Sequence, residues 1–130
     1  MKPLTVSIYF YLTLLTGILL VFIGIRFLVA PAVAEAAFGI HVPANGNFSF
    51  HDIKGIRDLF TGLVVIILLL RKEYSALGSL LVLSTMIPVM DFTVVLRQPG
   101  HATASLYPHA IAVILCVVLG SFYLRFTAKK

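Results

Sequence analysis

Charge is what this chain has least of. Asp, Glu, Lys and Arg make up 12% of its 130 residues, 60% are hydrophobic and the mean hydropathy is +1.05. Ordinary soluble domains carry about a quarter charged residues, so a soluble globular protein is excluded and a membrane protein is implied. Cysteine is nearly absent: Cys116 stands alone, which rules out an internal disulfide or a CxxC redox pair and leaves it as a small packing residue. No stretch is long or polar enough for a second module, so residues 1–130 form one integral membrane domain. The formal charge is +5 and the pI about 9.7. The basic residues are scattered at the ends of apolar runs rather than gathered on one polar face, which excludes nucleic acid as a partner.

What the chain does have is four apolar runs long enough for a bilayer core that takes about 20 helical residues to cross. They cover approximately 4–29, 50–71, 74–96 and 106–126. In the second, Ser49 followed by Asp52 resembles a capping box and starts the helix near Phe50. Tight connections at Arg71-Lys72-Glu73 and around Gln98-Pro99-Gly100 make the runs antiparallel. The expected fold is therefore all-α, a four-transmembrane-helix antiparallel bundle. Lys2, Arg71, Lys72, Arg125, Lys129 and Lys130 fall on one side, while Lys54 and Arg97, with Arg26 and Arg57 nearer the membrane, fall on the other. The richer side is cytoplasmic, so both termini are expected there, in a bacterial inner membrane.

Lys2 before an apolar run and Ala32-Val33-Ala34 after it resemble a signal peptide with a cleavage site. The run of about 26 residues is much longer than the usual h-region of about 7–15 and contains Arg26, so it is expected to remain as a span. The one long connection, 30–49, holds Pro31, Pro43 and the turn-forming Asn45-Gly46-Asn47. Its first part, Ala32 to Ile40, is apolar around Glu35 and is expected to lie along the interface as a short helix that acts as a lid, or else to be an ordinary surface loop. Tyr9, Tyr11, Tyr74, Tyr107 and Tyr123 are read as interface markers.

Arg26, Arg57, Asp58, Asp91 and His109 lie inside or at the rim of these runs. A charge at the centre of a membrane helix costs at least about 2.5–3.5 kcal/mol, which marks such residues as functional candidates. Helix rise puts Asp58, Asp91 and His109 about 20, 27 and 24 Å from the cytoplasmic ends of their spans, all in the outer half. Stripes of small and polar residues at helical spacing, His51, Gly55, Asp58 and Gly62, then Ser84, Pro88 and Asp91, then His109, Ala112, Cys116, Gly120 and Tyr123, are expected to face the bundle interior. Two arginines and two aspartates balance, with His109 neutral. Asp91 lies near the C-terminal end of its helix, where the dipole disfavours an anion, and so needs an arginine or a proton. His109 follows Pro108 in a first turn, where neutral imidazole is favoured. Pro88 cannot bond to Ser84 and is expected to kink the third span and open space beside Asp91.

Gly24-Ile25-Arg26-Phe27-Leu28 with Pro31 and Ala37-Phe38-Gly39, Gly55-Ile56-Arg57-Asp58 with Gly62, Asp91 and His109 together resemble a family of small four-span proteins of bacteria and fungi. That family is described as a domain of unknown function and is similar in architecture to the DoxX-like membrane proteins. The resemblance covers most of the chain and implies four helices in a membrane, but no activity.

The expected site is a buried polar pocket that takes a lipophilic or amphipathic small molecule. Asp91, His109 and Asp58 are its catalytic candidates, and Arg26, Arg57, His51, Ser84 and Tyr107 are its ligand-binding candidates. As an isomerase or cyclase, Asp91 is the acid and His109 the base or its partner, with Arg57, Asp58 and Arg26 orienting and neutralising. The alternatives are a proton-coupled transporter, for which four spans require a homodimer, and a non-catalytic accessory subunit. Arg–Asp pairs that only fix helix register form the structural alternative. His41, His51 and His101 lie in outer loops or helix ends, and no HxxxH or ExxH spacing supports a metal. No cofactor is implied; membrane lipid is the expected surrounding partner.

Overall fold

The computed structural model describes residues 3–43 and 45–128, and all regular structure among them is helical. The helices are α1 (Pro3–Val29), α2 (Pro31–Phe38), α3 (Ser49–Leu70), α4 (Tyr74–Ser84), α5 (Met86–Leu96) and α6 (Tyr107–Ala128), with a 3-10 turn at Thr103–Leu106. Lys2, Lys129 and Lys130, which contribute to the expected orientation, lie outside the described residues. Leu4–Val29, Tyr74–Leu96 and Thr103–Ala128 are long and apolar enough to cross a membrane. The molecule is a membrane protein. α3 has the length but carries Lys54, Arg57 and Asp58 within any membrane-length stretch, so it does not join those three.

Glycine sets how the helices pair. α1 runs antiparallel to α3, and a Cβ on Gly62 would lie 2.6 Å from the Gly17 carbonyl oxygen; one on Gly55 would lie 3.0 Å from that of Gly24. Both helices repeat the glycine after seven residues, two turns, so the backbones touch twice along one face. α4 and α6 meet similarly: a Cβ on Gly78 would approach Leu124 N to 2.9 Å, and one on Gly120 would approach Val82 N to 2.9 Å. Val65, Leu69, Leu77, Leu81, Leu119 and Tyr123 fill the space between the pairs. Tyr123 is therefore a core residue, not an interface marker; its hydroxyl donates to Thr13 Oγ1 at 3.1 Å, which satisfies the group inside the bundle. Tyr11 and Tyr107 are exposed. Leu15, Ile18 and Phe22 of α1, Ile56, Phe60, Leu63 and Ile67 of α3, and Ile111 and Ile114 of α6 are exposed too, which in water would be an unusually extended apolar surface.

The span Tyr74–Leu96 is broken at Thr85, between α4 and α5. Pro88 has no N–H for the Ser84 carbonyl, and Thr85 N–H turns to Val82 O at 3.2 Å. The expected capping box at Ser49 does not form. Phe48 holds the cap position without a side-chain bond, because the Ser49 N–H and hydroxyl both donate to Asn47 Oδ1, at 3.0 and 2.5 Å, an Asx turn that engages Ser49 first. Lys72 closes α3 with φ +59°, and Glu73 N–H reaches back to Leu68 O at 2.9 Å. α2 ends at Gly39 with φ +97°, where a Cβ would also lie 2.7 Å from Ser105 Cβ.

Candidate functional site

Lys54, Arg57 and Asp58 occupy neighbouring turns of α3, and Asp91 reaches them from α5. Lys54 Nζ donates to Asp58 Oδ2 at 2.5 Å and to Asp91 Oδ2 at 3.3 Å. Arg57 Nε donates to Asp58 Oδ1 at 3.2 Å, and its Nη2 to both Asp91 oxygens at 3.3 and 3.1 Å. Two cations and two anions thus form one closed ring of ion pairs. Lys54, Asp58 and Asp91 are buried, whereas the Arg57 side chain is 33% exposed. Lys54 Nζ also lies 4.8 Å from the Phe38 ring centre and 5.2 Å from that of Phe27, close enough for cation–π attraction to offset part of its desolvation.

Above this quartet lies α2. Pro31 at its first turn suits the missing N–H, and Ala34, Glu35 and Phe38 form its buried face. Glu35 Oε2 accepts from His51 Nε2 at 2.6 Å, and Oε1 lies 3.3 Å from His41 Nδ1. Burial pushes the Glu35 pKa up, but the His51 hydrogen bond, the Val42 N–H and the charges of His51 and His41 outweigh it and hold the carboxyl below its ordinary value. His51 is surrounded by Phe27, Phe48 and Phe50, and its Nδ1 is buried without a partner among the described residues. His109 donates from Nε2 to the Phe38 carbonyl at 2.9 Å, with its ring edge-to-face on Phe38 at 4.6 Å. That bond satisfies a carbonyl at the end of α2 that the helix cannot use.

The residues expected to form the site are therefore divided. Asp58, Asp91 and Arg57 meet in the quartet; His51 and His109 belong to the attachment of α2 and touch the quartet through Phe38 and Phe27. Arg26 is not a counter-ion of either aspartate. It lies in the last turn of α1, where a cation suits the dipole, and its guanidinium lies over Phe22 at 5.5 Å. Its expected place is taken by Lys54, which has Asp58 one turn away on the same helix and Asp91 of α5 at 3.3 Å. Ser84 ends α4 without a side-chain hydrogen bond among the described residues, and Tyr107 is exposed at the start of α6. Two residues outside the expected set are central: Lys54, read as an outer-flank charge, and Glu35. The i,i+4 spacing of Lys54 and Asp58 on the His51 stripe was the available signal for the first. An acid alone in an apolar segment was the signal for the second.

Two surface grooves lie elsewhere: one between α1 and α6 at the Arg125 end, the other against Val89, Phe92 and Ile114. Chemically, the quartet has both carboxylates engaged by cations, and among the described residues the hydrogen bonds of Arg57 run through Nε and Nη2 and leave Nη1 without one. A family model described as a domain of unknown function (DUF4267) matches residues 17–123. The chain belongs to the DUF4267 family. The DUF4267 match takes in the quartet, α2 and His109, and both glycine-paired interfaces. No curated protein and no solved structure matches the chain.

Proposed function

We propose that this DUF4267 protein is a four-span, DoxX-like bundle of a bacterial inner membrane, with cytoplasmic termini, that binds the polar head of a lipophilic or amphipathic small molecule at the quartet. α3 is the fourth span. Its apolar face, Ile56, Phe60, Leu63 and Ile67, is exposed as the other spans' faces are, and its charges are compensated within the bundle. With Lys54 neutralised, the α2 end has fewer free positive charges than the end carrying Arg71, Lys72 and Arg125, which supports placing the latter in the cytoplasm.

The observation that carries binding is the asymmetry of Arg57. Its Nε and Nη2 are held by two buried carboxylates, while a third of the side chain is open. The fork is preorganised, and its exposed part is available to an acceptor oxygen beside the α2 cover. Acid–base catalysis by Asp91, Asp58 and His109 requires breaking ion pairs and the His109–Phe38 bond first. Proton-coupled transport by a homodimer requires the same and a pathway through the inner half; an accessory role uses the pocket without chemistry. Binding needs none of these rearrangements.

Thermal unfolding of the purified protein with palmitate, monoolein and cholesterol tests this. A ligand at a hundred times its Kd stabilises by about 2.7 kcal/mol. The expected result is that at least one acceptor-bearing amphipath raises the midpoint and that Arg57→Lys, which keeps the charge and loses the fork, reduces the rise. No shift with any of the three, or an equal shift in the folded variant, contradicts it.

A further inference from the structure

At the end of the bundle opposite the quartet, a groove of about 460 Å³ runs between Thr5 and Tyr9 of α1 and Val117, Val118, Ser121 and Arg125 of α6. Its deeper part is apolar. Tyr9 and Phe122, which both line it, stack at 3.7 Å with their planes 1° apart. The other extremity is cationic: Arg125 is exposed in the last turn of α6 and pairs with no carboxylate among the described residues. Of the five acidic residues in the chain, Glu35, Asp52, Asp58 and Asp91 belong to the α2 end, and only Glu73 shares the end with Arg71, Lys72 and Arg125. From Val117 to Arg125 the helix rises about 12 Å. The groove is thus apolar in its depth and positive where it reaches the membrane surface, which is the inverse of an anionic phospholipid.

We propose that one anionic phospholipid occupies this groove, its acyl chain along Val117 and Val118 and its phosphate on Arg125. The site is independent of any ligand at Arg57. A basic residue at the surface favours an anionic lipid by about fivefold.

Native mass spectrometry of the full chain in detergent, with equal phosphatidylglycerol and phosphatidylcholine, reads this directly. One phosphatidylglycerol per chain is expected, retained about fivefold over phosphatidylcholine. Arg125→Gln abolishes the preference and Arg125→Lys keeps it; Ser121→Phe, which fills the groove, releases both lipids. Equal retention of the two lipids, or a preference unchanged in Arg125→Gln, overturns the proposal. So does a dimer that Ser121→Phe dissociates, which assigns the groove to a second copy, or displacement of the lipid by inorganic phosphate alone. Arg125 is exposed, so its variants keep the test open even where Ser121→Phe does not fold.

Discussion

Lys54 of α3 places its ammonium 3.3 Å from the Asp91 carboxylate of α5, under the rings of Phe27 and Phe38. This contact joins the α1/α3 pair to the broken span of α4 and α5 and makes the cover, α2, part of the same unit. Replacing Lys54 by Met leaves Asp58 and Asp91 to share Arg57 alone. A loss of about 3–5 kcal/mol is expected, as for breaking a buried pair. Adding Asp58→Leu to Lys54→Met removes the orphaned anion and should restore much of it. Unfolding in a mixed-micelle SDS titration measures both.

Glu35 gives the fold a dependence on pH. Its carboxyl is held below the ordinary value, so it contributes stability that is complete above the unfolded-state pKa and is lost as pH falls through the folded one. The contribution of this carboxylate declines as pH falls below about 4.5, its ordinary value. Comparison of wild type with Glu35→Gln should show the stability difference shrinking as the medium is acidified through that range. A difference independent of pH assigns no such role to the carboxylate.

The glycine contacts differ in what they tolerate. A Cβ at Gly62 meets backbone, the Gly17 carbonyl oxygen at 2.6 Å and Val21 N at 2.8 Å, whereas at Gly17 the nearest atom is a side-chain one, Ile66 Cγ1 at 2.7 Å, and the nearest backbone atom, Gly62 O, stays at 3.3 Å. Gly62→Ala should cost about 1–3 kcal/mol by overpacking and Gly17→Ala distinctly less. The ratio of the two losses in the same titration checks the reciprocal packing of α1 on α3.

Lys72 adopts a left-handed conformation at the end of α3, a geometry that costs a side-chain-bearing residue roughly 1–2 kcal/mol. Lys72→Gly relieves that strain, partly offset by a more flexible unfolded chain. A gain of about 0.5–1 kcal/mol is expected, with no change in lipid or ligand binding.

Much of this architecture is legible in the sequence because membrane helices are written in long runs. The apolar stretches give α1, α3, α4 with α5, and α6; the apolar segment around Glu35 admits α2 as one of two readings, a short helix or a surface loop; and the Gly55–Asp58–Gly62 stripe gives the buried face of α3. Pro88 foretells the break, which falls at Thr85 because the freed carbonyl is that of Ser84. What stays hidden is direction. Arg26 and Lys54 carry the same charge at the same end, and only the tertiary placement of Phe27 and Phe38 turns Lys54 inward while Arg26 stays with Phe22. The partner of His109 is a backbone carbonyl 71 residues away, which no periodicity reports. Ser49 reads as a cap until Asn47 engages it.

A double-mutant cycle between Lys54 and Asp91, built from Lys54→Met, Asp91→Asn and the combined variant, measures whether the charges on separate helices act as one unit. Residues sharing such a network couple by about 0.5–3 kcal/mol, and a favourable coupling at the upper end of this range is the predicted result. Additive losses, with coupling below about 0.3 kcal/mol, contradict a single compensated quartet beneath α2.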